Sequence, residues 1–82
     1  MIMKNISIID QMMQNPKGIK FKDLCKICDQ YFGKPRQEST SHRVYQMPWQ
    51  GDPRVNIQND KGNAKTYQVR QVLKALEKLG VL

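Results

Sequence analysis

Two stretches decide the fold: Ser41-His42-Arg43-Val44-Tyr45-Gln46-Met47 and Arg54-Val55-Asn56-Ile57-Gln58. The first is rich in strand-forming residues and alternates imperfectly. The second alternates cleanly. Val55 and Ile57 fall on one side, and Arg54, Asn56 and Gln58 on the other, as a half-buried strand requires. Between them Pro48-Trp49-Gln50-Gly51-Asp52-Pro53 is turn chemistry, so the two runs are predicted to form an antiparallel hairpin. A short strand near residues 36–39 is expected to pair beside them.

Helical periodicity flanks this β region. Residues 5–14 carry Ile8, Ile9, Met12 and Met13 as one apolar stripe, and Pro16 stops the helix. Residues 21–32 place Phe21, Leu24, Cys25, Cys28 and Phe32 on one face, with Gly33 at the C-terminal end. The last helix begins with Thr66 as N-cap. It buries Val69, Val72, Leu73, Leu76 and Leu79 and ends at Gly80. Arg70, Lys74 and Lys78 recur every four residues beside that stripe and form a basic ridge. The predicted architecture is one α+β domain over residues 1–82. A core of residues 20–82, ordered α-β-β-β-α, carries a three-stranded antiparallel sheet with its helices on one face, preceded by the extra helix 5–14. That order is the layout of a double-stranded-RNA-binding domain.

The charge points to the partner. Fourteen Lys and Arg against seven Asp and Glu give a formal charge of +7 in 82 residues, with a sequence pI near 9.7. A folded domain so basic suits a polyanion: nucleic acid, an anionic surface or an acidic protein. The length excludes a large enzyme with a deep dinucleotide pocket. No apolar run approaches the ~20 residues of a membrane helix, and the N-terminus lacks an apolar secretory core, so a cytoplasmic protein without a membrane partner is expected. Cys25 and Cys28 read as small apolar residues at helical spacing. A structural zinc site wants four ligands, and the chain adds only His42 to these two cysteines. No phosphate-cradling glycine loop is present either, so neither a metal nor another cofactor is implied.

His42 is the single histidine, between Ser41 and Arg43 at the start of a predicted strand. An imidazole can move a proton near neutral pH. RNA supplies its own nucleophile, the 2′-hydroxyl, so a small protein needs only a proton-transfer group, cations on the phosphate and an oriented strand. His42 is the candidate for proton transfer. Arg43, Arg54, Lys65, Arg70 and Lys74 are the candidates for holding RNA. Trp49 is expected to cap the hairpin, with base stacking as the alternative.

The run Thr40-Ser41-His42 followed by Tyr45, and the closing-helix run Arg70, Val72, Leu73, resemble the HicA-type toxins, small basic RNA-cleaving proteins of toxin–antitoxin pairs. The resemblance covers about three quarters of the chain, from Phe21 to Leu82. A branch with a longer N-terminus looks closer still through residues 47–58 and 67–73. It implies a fold of the double-stranded-RNA-binding type and an mRNA interferase, a metal-independent endoribonuclease with His42 as catalytic histidine. Ser41 and Tyr45 would orient it, and a HicB-type antitoxin would cover His42. The family's Gly-Ser-His carries Thr40 in place of glycine here, and a β-branched residue resists positive φ, so the loop is expected to be shaped differently. Tyr45, Lys65 and Glu38 are the candidates for a second acid or base. The alternative function is a non-catalytic RNA- or DNA-binding module, and the charge supports it equally.

Overall fold

The computed structural model describes residues 4–51 and 53–82; Asp52, part of the expected turn, lies outside the described residues. The chain runs α1 (Lys4–Gln14), a single 3-10 turn (Pro16–Gly18), α2 (Phe21–Phe32), β1 (Gln37–Glu38), β2 (His42–Gln46), β3 (Arg54–Asp60), β4 (Asn63–Ala64) and α3 (Thr66–Lys78). The four strands form one antiparallel meander in the order β1-β2-β3-β4. The three-strand expectation is therefore corrected. β3 runs two residues past Gln58 and turns back on itself. Lys61 at φ 56° and Gly62 at φ 93° make the two-residue loop with both φ positive that matches strand twist. The Asn59 side-chain oxygen accepts the Gly62 N–H at 2.6 Å. A strand of two residues is too short to leave a periodic signal in sequence.

β2 and β3 pair as His42–Gln58, Arg43–Ile57, Val44–Asn56, Tyr45–Val55 and Gln46–Arg54. Alternation then sends Tyr45, Val55 and Ile57 to one face, where they meet Leu24, Ile27 and Cys28 of α2 and Val69, Val72 and Leu76 of α3 in a single core. α2 and α3 thus cover the same face of the sheet, as expected. α1 packs on α2, α3 and the 3-10 turn, with Ile9 and Met12 buried; Met13, expected in the same stripe, is 58% exposed. Cys25 and Cys28 are both buried core residues with free thiols, which burial pushes above their ordinary pKa.

The helix ends refine the reading. Thr66 opens α3 from inside the helix, and Lys65 holds the N-cap position without a side-chain bond. The C-terminus closes as a Schellman motif. The Val81 N–H reaches the Leu76 carbonyl at 3.0 Å and the Gly80 N–H the Glu77 carbonyl at 3.0 Å, with Gly80 at φ 83°. Residues 19–21 extend the far edge of the sheet: Ala64 N–H bonds the Ile19 carbonyl (2.8 Å) and Phe21 N–H the Gly62 carbonyl (3.0 Å). Leu73 and Leu79 are only half-buried, whereas Ile27, Gln68 and Ala75 are buried although the sequence reading did not select them.

Candidate active site

The face of the sheet away from the helices is lined by His42, Gln46, Arg54, Asn56 and Gln58, and among the described residues no helix covers it. Val44 is the one apolar side chain there, buried beneath its neighbours and outside the main core. His42 stands at one end of this face. Its carbonyl accepts the Ser39 N–H at 2.8 Å and the Ser39 hydroxyl at 3.3 Å, which fixes the strand's entry from the β1 side. Its ring is half-buried and makes no hydrogen bond or ion pair with any described residue. The bonds Asn59 N–H to Ser41 carbonyl (2.9 Å) and Met47 N–H to Pro53 carbonyl (3.0 Å) frame the ladder. By alternation His42 and Gln58 are a pair without mutual backbone bonds, the geometry in which side chains sit closest, with Cβ atoms about 5 Å apart.

Gln58 is tied in turn to α3. Gln68, the one buried polar residue among those described, accepts the Gln58 N–H at 2.7 Å. Its amide nitrogen donates to the Gln58 side-chain oxygen at 3.1 Å and to the Tyr67 hydroxyl at 3.2 Å. The amide therefore uses both of its hydrogens and replaces a ladder bond where β4 has ended. It also defines the Tyr67 hydroxyl: an oxygen that accepts from Gln68 keeps its own proton to donate elsewhere, and the Tyr67 side chain is largely exposed. Lys65 follows Ala64, the partner of Asn59, so continuing the register brings it alongside Gln58. His42 is thus the cross-strand neighbour of Gln58, whose side chain shares the Gln68 amide with the Tyr67 hydroxyl, and the register carries Lys65 to the other side of Gln58.

The other predicted residues are placed differently. Arg43, next to His42 in sequence, faces the helices. Its guanidinium meets Asp29 of α2 at 2.9 Å and Glu38 of β1 at 3.2 Å. Tyr45 is fully buried, donates its hydroxyl hydrogen to Asp29 at 2.6 Å and packs edge-on to Phe32. Burial first, and then the bond to Asp29, push the Tyr45 phenol well above its ordinary pKa. Arg43 keeps its charge more firmly still through its bonds to Tyr45 and Asp29. Tyr45 and Glu38, two of the candidates for a second acid or base, therefore lie across the sheet from His42. Arg54 shares the face of His42 but stands four residues along it, ~13 Å away, and lines a groove with Lys74, Trp49 and Val55. Arg70 is exposed on α3. Trp49, in the loop between β2 and β3, packs partly buried against the core, and Lys78 lies over its ring, 4.7 Å from the centre. Ser41 is exposed and enters the ladder through its carbonyl. Thr40 does not adopt positive φ, since Lys61 is the one described non-glycine residue that does, so the loop holds threonine without strain.

Gln58, Gln68 and Tyr67 as a group were missed in sequence. The available signal was Gln68 itself, a polar residue four positions before Val72 and therefore on the buried stripe of α3. No protein-family model, curated protein or solved structure matches the chain.

Proposed function

We propose that the chain is the toxin of a type II toxin–antitoxin pair, an endoribonuclease that cuts mRNA without a metal. The observation that carries the reading is the unpartnered ring of His42 on an open polar face, beside Gln58 and the Gln68-held Tyr67 hydroxyl. The Thr40-Ser41-His42 run, the +7 charge and the arrangement of helices on one face of an antiparallel sheet, similar to double-stranded-RNA-binding domains, support it.

In this mechanism His42 takes the proton of a ribose 2′-hydroxyl. The 2′-oxygen forms a bond to the adjacent phosphorus, and the bond from phosphorus to the 5′-oxygen breaks. The products are a 2′,3′-cyclic phosphate and a 5′-hydroxyl, whose oxygen receives a proton from a neutral donor. The Tyr67 hydroxyl has the free hydrogen for that role, and the ammonium of Lys65 offsets charge on the phosphate. An acidic HicB-type antitoxin would silence the protein by covering His42.

The test is incubation of purified protein with RNA in the presence of a chelator, wild type beside His42→Ala. Cyclic phosphate ends made by wild type, reduced 10²-fold or more in a folded His42→Ala, are the expected result. Equal cleavage by both proteins overturns the assignment of His42. Binding without cleavage by wild type leaves a non-catalytic RNA-binding module.

A further inference from the structure

A second basic surface lies on the helix side of the sheet. Between α2 and the ends of β2 and β3 runs a groove lined by Lys20, Lys22, Lys26, Thr40, Asn59 and Gly62. All three lysines are exposed, and none forms an ion pair or hydrogen bond with a described residue through its side chain. Asp29, the one carboxylate on the wall, is already held by Arg43 and Tyr45. The three lysines outnumber the single negative charge left where Asp29 and Glu38 share the Arg43 guanidinium, so the groove is net cationic. On the α3 ridge, by contrast, Lys78 is engaged by Trp49.

We infer that this groove binds the phosphodiester backbone of a single RNA strand and leads it to His42. Lys22 and Lys26 stand one helical turn apart, about 6 Å along the axis, on the same flank of α2, a spacing that lets two ammonium groups meet neighbouring phosphates. Long flexible lysines suit a repeating anion better than one fixed carboxylate. Thr40, two residues before His42 in the loop that enters β2, is on the groove wall. A strand leaving it at that point passes around the end of the sheet and onto the open face. The inference rests on RNA being the polyanion, and it does not require that the RNA be cut.

The experiment measures binding of an unstructured 2′-O-methyl RNA oligomer, which has no free 2′-hydroxyl and cannot be cleaved by this route. Wild type, Lys22→Gln/Lys26→Gln and Arg70→Gln/Lys74→Gln are compared over a range of salt, with circular dichroism as the check on folding. The α2 double variant is expected to bind at least 10-fold more weakly at low salt. Its plot of log K against log salt should be shallower by about 1.4, two contacts at ~0.7 each. The α3 double variant should lose less. An α2 double variant that is folded and keeps wild-type affinity and salt slope overturns the inference, as does a wild type that fails to bind the oligomer at low salt. Loss of an acidic protein partner with RNA binding intact would also overturn it. Wild type that binds through these lysines yet releases no cyclic ends from ordinary RNA refutes the nuclease and keeps the groove.

Discussion

His42 and Arg43 are consecutive residues on opposite faces of one sheet. The unpartnered imidazole is on the open side, while the guanidinium on the helix side joins Asp29 and Glu38. Strand geometry forces the separation, since successive side chains alternate. The residues that the sequence offers as a proton-transfer group and as its adjacent RNA-holding cation therefore do not share a surface.

Replacing Arg43 tests the division. Arg43 links α2, β1 and β2 through one side chain, half-buried against partly exposed carboxylates, so Arg43→Ala is expected to cost about 1–2 kcal/mol. At 82 residues that lowers Tm by roughly 4–8 °C per kcal/mol. Below the melting range, cleavage per folded molecule should stay within a fewfold of wild type. A stable Arg43→Ala with cleavage reduced 100-fold would instead place the guanidinium on substrate.

Gln68 has a larger structural effect than its position at the start of a helix suggests. Gln68→Leu keeps an apolar body but leaves the Gln58 N–H without its acceptor and the Gln58 side chain without its donor. The expected loss is about 2–3 kcal/mol in urea unfolding. Gln68→Glu restores the acceptor and not the donors, so it should recover part of the loss while leaving Tyr67 unheld.

Tyr67→Phe separates chemistry from folding, because the ring is largely exposed and its hydroxyl makes one bond. Stability should change by less than about 1 kcal/mol. Cleavage should fall 10-fold or more, with RNA affinity little changed. An unchanged cleavage rate would remove Tyr67 from the mechanism.

Alkaline pH should weaken the fold in two stages. Cys25, Cys28 and Tyr45 all have pKa values raised by burial, so the folded chain keeps protons that the unfolded chain releases. Their stabilisation is present below the ordinary values and is lost as pH rises, from about pH 9 for the thiols and about pH 10 for the phenol. Urea midpoints measured from pH 7 to pH 11 should be flat and then decline. Cys28→Ala should remove part of the decline that begins near pH 9, and Tyr45→Phe part of the decline above pH 10.

Local sequence carried the helices and the central hairpin. α2 was legible to the residue at both ends, because Phe21, Leu24, Cys25 and Cys28 hold a helical period and Gly33 breaks it at φ 84°. β3 announced its buried face through Val55 and Ile57 alone. Two short strands were harder: β1 was anticipated near its place, while β4, two residues formed only because a tight turn returns β3 on itself, was not.

By itself the sequence determined the apolar faces, the turn positions, the excess of positive charge and the solitary histidine, all properties of a residue and its near neighbours. Tertiary structure alone decided which side chains share a surface with that histidine. It drew Arg43 and Tyr45 to Asp29 on the helix side and brought Tyr67 and Gln68, more than twenty residues further on, to Gln58 beside His42. The reason is that strand register and helix docking, set by burial of a common core, fix contacts between distant residues, and no local period encodes them.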